Sequence, residues 1–286
     1  MKWHSYHIFI HDMTFHDRFL NNFLNRFIKK NQHHIKRFFF IRYWQGGPHI
    51  RFRFQSDDPN DIIQGLENVF EEFKVDYKPN YRLTKEEFYS SHSFDGQKPD
   101  DLELYWFDDL SIKNIPYQPE FERYGGQEIM TYSENIFYQT SKLALEKITE
   151  SNGNLPVAVR LMLACDFFQS MKEYITKEEY EKLLTHYDQF WSRFNQGVRV
   201  NTDQVKKFSK LYWQKKELNH DPFPESAAEV YDELKWNIDK IVRSGHRKML
   251  PYYIFSYIHM FNNRIGLPPY LESSVAVILN MNADRR

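Results

Sequence analysis

At 286 residues the chain is long enough for one large domain or two small ones, and its 38 Lys and Arg against 39 Asp and Glu leave a formal net charge of -1. That balance argues against attraction to nucleic acid or membrane through bulk charge and leaves room only for a local basic cleft. Aromatics supply 17% of the residues, which explains how a sequence of mean hydropathy -0.70 can build a core.

The first segment, Met1-Lys2-Trp3-His4-Ser5-Tyr6-His7, carries neither a long apolar region nor a cleavage signature. No stretch approaches the roughly 20 apolar residues that span a bilayer, so a soluble, cytoplasmic protein is the expectation. Trp3 to Ile10 reads as a strand with Tyr6, Ile8 and Ile10 on one face. Asp12 or Thr14 caps a helix from Phe15 to Lys30, whose Phe19, Phe23 and Phe27 recur at helical spacing and belong to the core. A hairpin follows from Arg37 to Gln55, and Asp57-Asp58-Pro59 opens a helix that runs to Lys74. Tyr77 to Tyr117 is irregular and polar, with acidic pairs at Asp100-Asp101 and Asp108-Asp109, and is expected to form short strands and loops.

After Gly125-Gly126 the pattern becomes helical. Helices are predicted over Ile129 to Ile148, Leu155 to Glu173, Lys177 to Phe194, Ala227 to Ser244 and Pro251 to Ile265, with breaks at Asn152-Gly153-Asn154 and near Gly245. The lone Cys165 lies in the apolar run Val159 to Cys165 and reads as a packing residue, which excludes an intramolecular disulfide. The fold class is therefore α+β: a largely antiparallel sheet with flanking helices in residues 1–125, and a mainly helical part in 126–286, packed as a single domain.

Three patches are unusual for packing alone. In the hairpin, Phe39-Phe40-Ile41-Arg42-Tyr43-Trp44-Gln45-Gly46-Gly47-Pro48-His49-Ile50-Arg51-Phe52-Arg53-Phe54, strand alternation puts His49, Arg51 and Arg53 on one face and Ile50, Phe52 and Phe54 on the other. Two adjacent guanidiniums repel unless an anion lies by them, so they read as a carboxylate or phosphate seat; a solvated edge strand gives the same pattern. In Pro119-Glu120-Phe121-Glu122-Arg123-Tyr124-Gly125-Gly126, glycines before a helix let backbone N–H groups approach an anion, while Glu120 and Arg123 can orient one another or a ligand. In Ser256-Tyr257-Ile258-His259-Met260-Phe261-Asn262-Asn263-Arg264, His259 and Asn263 share a helix face, and the imidazole suits proton transfer near neutral pH. His4, His7, His11 and His16 do not make a metal site, because His4 and His7 point to opposite sides of a strand and no cysteine or HExxH helix accompanies them. Serine-hydrolase, P-loop and Rossmann motifs are all lacking in the sequence.

Taken in order, FFIRYWQGGPHIRFRF, PEFERYGG before a helix with Ser133-Glu134-Asn135-Ile136-Phe137, and SYIHMFNNRIG resemble the elimination domain at the C-terminal end of lantibiotic dehydratases, also called the thiopeptide-type bacteriocin biosynthesis domain. The resemblance runs from Trp3 to Gly266. It implies an enzyme, a lyase, that expels glutamate from glutamylated Ser or Thr of a ribosomal precursor peptide and leaves dehydroalanine or dehydrobutyrine. It places the elimination residues at Arg51, Arg53, Glu120, Arg123 and His259, with His49, Arg42, Tyr124, Asn263 and Arg264 as substrate-binding neighbours. It implies no cofactor or metal, since the ester already carries its leaving group. It also implies a separate glutamylation protein that uses glutamyl-tRNA, with no direct contact of this chain with nucleic acid or membrane. A homodimer is compatible with the aromatic-rich composition. Relatives in thiopeptide pathways use the same fold for a [4+2] cyclisation that forms a pyridine; retention of all five residues favours elimination. A peptide-binding scaffold for a partner dehydratase is the reading from another class.

Overall fold

The computed structural model describes residues 2–91, 103–194, 201–218 and 226–281; the acidic pair Asp100-Asp101 lies outside them. Contacts between Cα atoms divide the chain into two compact units, Met1–Pro119 with Ser141–Leu155, and Glu120–Thr140 with Pro156–Arg286.

The first unit is built on an antiparallel sheet of β1 (Trp3–Phe9), β2 (Arg37–Tyr43), β3 (His49–Gln55) and β4 (Ser111–Asn114), in the order β2-β3-β1-β4. With helices between β1 and β2 and between β3 and β4, this is the split βαβ arrangement. Period-two alternation gives the sheet two unlike faces. Tyr6, Ile8, Phe38, Phe40, Ile50 and Phe52 form an apolar face. Helices α1 (His16–Phe19) and α2 (Arg26–Lys30), joined by a π-helical stretch at Leu20–Asn25, pack there with α3 (Asn60–Asp76). The phenylalanine stripe meets α3 edge-on, Phe19 and Phe23 lying 5.1 and 5.3 Å from Phe73, and Phe27 reaches Phe52 on β3. Asp12 caps the helix entry, its carboxylate accepting from the Thr14 backbone.

In the irregular stretch one element, a helix, departs from the expected short strands and loops, and one strand matches them. Lys85–Ser91 is a helix, α4, and its Tyr89 hydroxyl donates to the Tyr105 carbonyl and accepts from the Gly46 N–H, holding the hairpin turn from outside. Ser111–Asn114 is a strand that extends the sheet beyond β1. Asp109 is a connector: its carboxylate accepts from the backbone of His11 and from the Tyr77 hydroxyl.

The second unit is helical: α6 (Val157–Ser170), α7 (Lys177–Trp191), α8 (Thr202–Glu217), α9 (Ser226–Ile241), α10 (Leu250–Arg264) and α11 (Pro269–Asn280), with the first part of α5 (Gln127–Glu150). The end of α5 belongs to the first unit, where Ser141 accepts from the Phe40 N–H on the outer edge of β2. Expected breaks occur at Gly153 and Gly245, which adopt φ of 72° and 86°. Helix α10 is the buried axis of the second unit, with Tyr253, Ile254, Tyr257, Ile258 and Phe261 at 2% exposure or less. Cys165 is buried on α6, and burial pushes its thiol far above its usual pKa, as suits a packing residue. Helices α8 and α11 are not among the predicted elements.

Candidate functional site

In the first unit, the hairpin places Arg51 and Arg53 on the sheet face opposite the phenylalanines, with His7 and Ser5 of β1 as their cross-strand neighbours. Both arginines are half-buried, between a solvated surface and a core. His49 stands behind Arg51. Its Nδ1–H donates to the Gly47 carbonyl at 2.7 Å, which leaves Nε2 to accept from Arg51 Nε at 3.2 Å. The two contacts fix one neutral tautomer. Burial, then the neighbouring His7 and the Arg51 charge, hold the His49 imidazole well below its usual pKa. His7 stacks on His49 with centroids 4.8 Å apart, and burial with the Arg51 and Arg53 charges lowers its pKa to about 3. The Arg51 guanidinium lies 3.4 Å over the Tyr43 ring, and that of Arg53 lies 4.5 Å from Tyr117 and 5.2 Å from Phe39. Aromatic faces favour a cation there.

Two residues expected to bind substrate here have structural partners. His49 is fully buried and accepts from Arg51. Arg42 pairs with Ile50 across the strands and therefore lies on the opposite face from Arg51 and Arg53, where it donates to the buried Asp17 carboxylate at 2.6 Å. Asp17 also accepts from the Leu155 N–H, so Arg42 serves the packing of helix, sheet and the end of the unit.

In the second unit, Glu120 and Arg123 form an ion pair at 3.2 Å, as their spacing suggested, and Arg123 Nε donates to Ser256 Oγ on α10. Of the two glycines after them, Gly125 has a packing role. A Cβ on Gly125, which has φ of 81°, would come within 2.3 Å of the Tyr253 hydroxyl and 2.9 Å of His246 Nδ1. Close packing requires the glycine. Tyr124 and Arg264, expected to touch substrate, are buried at 2% and 1% exposure. Tyr124 stacks on Tyr257, and the Arg264 guanidinium lies 5.2 Å from the Phe137 ring. Asn263 is half-buried on α10, one turn beyond His259.

His259 is held on two sides. Its Nδ1 donates to Glu272 Oε1 at 2.8 Å, and the ring stacks on Trp191 at 4.4 Å. Glu272 is 1% exposed, and its second oxygen accepts from the Tyr187 hydroxyl and from Asn262 Nδ2. Burial and the Glu272 carboxylate keep the Tyr187 phenol far above its usual pKa, so it remains a donor. Among the described residues His259 Nε2 makes no hydrogen bond, and the side chain keeps 19% exposure. A ring fixed through Nδ1 with Nε2 open is suited to take or give a proton. Sequence reading overlooks Glu272; the available signal is a carboxylate within the apolar run Tyr270 to Leu279.

The family described as "Lantibiotic biosynthesis dehydratase C-term" matches residues 3–282. The chain belongs to this family. Epidermin biosynthesis protein EpiB of Staphylococcus epidermidis is 27% identical over 288 residues, an alignment covering 97% of this chain and 25% of that protein. The chain therefore spans about a quarter of the length of that relative. Among solved structures, the pyridine synthase TbtD from thiomuracin biosynthesis aligns with a TM-score of 0.72 and 14% identity over 100% of this chain and 98% of its own. TsrL aligns at 0.62 and 15% identity, over 99% and 95%. The tRNA-dependent lantibiotic dehydratase MibB from Microbispora sp. 107891 aligns at 0.58 and 16% identity, over 100% and 29%. At these identities the likeness is one of fold, and it agrees with the α+β class read from the sequence.

Proposed function

We propose that this member of the lantibiotic dehydratase C-terminal family is a lyase that eliminates glutamate from glutamylated Ser or Thr residues of a precursor peptide. The observation that carries this reading is the half-buried pair Arg51 and Arg53, set on one sheet face among aromatic rings and braced by a neutral imidazole. Such a pair suits an anionic ligand.

In the elimination, a base removes the Cα proton of the esterified residue, and the electron pair left behind forms the Cα–Cβ double bond. The Cβ–O bond breaks, and glutamate leaves as a carboxylate. The arginines hold the glutamyl carboxylate and stabilise the enolate oxygen that develops beside Cα. A carboxylate departs without a proton, whereas a peptide Cα proton needs a base, so His259 Nε2 takes that role. The resemblance also assigns Arg123 and Glu120 to the elimination set, and the two form an ion pair at 3.2 Å. The ester supplies the leaving group, so the step calls for no cofactor. The substrate would be made by a glutamylation protein that uses glutamyl-tRNA.

A second reading, a pyridine-forming cyclase acting on a peptide that already holds dehydroalanines, draws on the near-complete mutual coverage with TbtD. Arg53→Ala tests the enzyme reading against a scaffold. An eliminase variant accumulates glutamylated peptide, whereas a scaffold variant still supports dehydration by its partner.

A further inference from the structure

Of the buried acidic groups in the second unit, one is aimed at a side chain with an open functional nitrogen. Asp166 on α6 is occupied by Lys216 and Tyr212 of α8, an arrangement that ties two helices together. Glu272 differs. It lies on α11, 13 residues after His259, and the chain reverses between them through Gly266, Leu267 and Pro268. Its Oε1 faces His259 Nδ1, and its Oε2 is occupied by Tyr187 of α7 and Asn262 of α10. Three helices thus fix one carboxylate against one imidazole.

We infer that Glu272 is the positioning residue for His259: it holds the proton on Nδ1, presents Nε2 to the peptide, and stabilises the imidazolium formed when Nε2 takes a proton. The part concerning proton uptake rests on the elimination reading; the tautomer and ring orientation do not. Tyr187 and Asn262 act one step further out. By donating to Oε2 they keep the carboxylate from rotating and satisfy its remaining lone pairs, which a buried carboxylate needs. Trp191 covers one face of the imidazole at 4.4 Å and holds the plane of the ring. A carboxylate that orients a catalytic imidazole in other enzymes contributes large factors because its loss leaves the wrong tautomer.

The test has two readouts on the full chain. Long-range proton–nitrogen correlation spectra of the wild-type protein at neutral pH should show His259 protonated on Nδ1, and Glu272→Gln should abolish that single-tautomer pattern. Using a synthetic O-glutamyl-serine peptide, Glu272→Gln should lower kcat for glutamate release by about 10²- to 10⁴-fold with KM within a few-fold of wild type. Tyr187→Phe, which keeps the ring and removes one donor to Oε2, should lower kcat about 10-fold and leave the fold intact by circular dichroism. If Glu272→Gln does not fold, the wild-type spectrum and Tyr187→Phe still decide. A wild-type proton on Nε2, or a folded Glu272→Gln variant with unchanged kcat, overturns the inference. A wild-type protein that shows the Nδ1 tautomer and releases no glutamate overturns the elimination reading and leaves the positioning of His259 standing.

Discussion

The ring of His49 and the guanidinium of Arg51 are joined by a hydrogen bond of 3.2 Å in which the histidine is the acceptor. That is possible only for a neutral imidazole whose proton sits on Nδ1, where the Gly47 carbonyl receives it. A residue expected to touch substrate thus accepts from its neighbour Arg51. His49→Leu should therefore lower elimination about 10-fold or more by releasing Arg51, and should destabilise the fold by about 1–3 kcal/mol through an unpaired Gly47 carbonyl. Urea unfolding and glutamate release measured on the same preparation check both effects. Unchanged activity with lowered stability would limit His49 to packing.

Buried histidines also set the acid sensitivity of the first unit. Burial, with the Arg51 and Arg53 charges, lowers the His7 pKa to about 3, and burial with the Arg42 charge lowers that of His16 to about 4. Both lie below the usual 6.5, so the unfolded chain binds more protons than the folded one between those values. Their stabilising contribution is complete above about pH 6.5 and is lost as pH falls toward 4 and then 3. The slope reaches about 1.4 kcal/mol per pH unit for each group. Unfolding free energies from pH 7 to 4 should fall accordingly, and His7→Gln should flatten the curve. A pH-independent free energy over that range would contradict the buried neutral state.

Arg42 and Asp17 form a pair whose side chains are 14% and 5% exposed. Asp17→Ala leaves a nearly buried guanidinium without its carboxylate and should cost about 3–5 kcal/mol. Replacing both together, Arg42→Met with Asp17→Leu, should recover much of that loss. KM for the peptide should stay at the wild-type value in any variant that folds; a large rise in KM for the double variant would restore Arg42 to substrate binding.

Gly125 offers a steric test. With φ of 81° and a Cβ position 2.3 Å from the Tyr253 hydroxyl, Gly125→Ala should destabilise the protein by about 2 kcal/mol or more. Combining it with Tyr253→Phe removes the nearest clashing atom and should return part of the loss as a favourable coupling energy. Strict additivity of the two changes would show that the Tyr253 hydroxyl is not the source of the loss, leaving backbone strain and the contact with His246 Nδ1 at 2.9 Å.

Period and composition made the sheet and most helices readable. The alternation in β3 and the phenylalanine stripe of α1 to α2 are strong because each element gathers its apolar residues on one face. Helix α8 escaped because its buried residues reduce to Val205, Ser209 and Tyr212 among lysines and glutamines, too sparse a stripe to register. Helix α11 is apolar nearly all round and rich in Val and Ile, which erases the helical period. Arg51, Arg53, Glu120, Arg123 and His259 stand out in the sequence as polar groups in aromatic or apolar surroundings, and the elimination role proposed for them comes from the resemblance. The same signal selected His49, Arg42, Tyr124 and Arg264, because a buried polar residue with a structural partner looks identical in one dimension to one facing a ligand. Glu272 shows in the sequence only as a carboxylate within the apolar run Tyr270 to Leu279. Its meaning depends on a chain reversal that brings α11 against α10 and α7, and no local spacing encodes that meeting.

The most direct measurement is the mass of an O-glutamyl-serine precursor peptide after incubation with the purified protein, beside an identical reaction with His259→Ala. Expected is loss of glutamate to give dehydroalanine with the wild-type chain, and an unchanged glutamylated peptide with the variant. A glutamylated peptide left intact by the wild-type protein, even with the glutamylation protein present, would contradict elimination. Conversion of a dehydroalanine-rich peptide to a pyridine with release of its leader would then put the cyclase reading in its place.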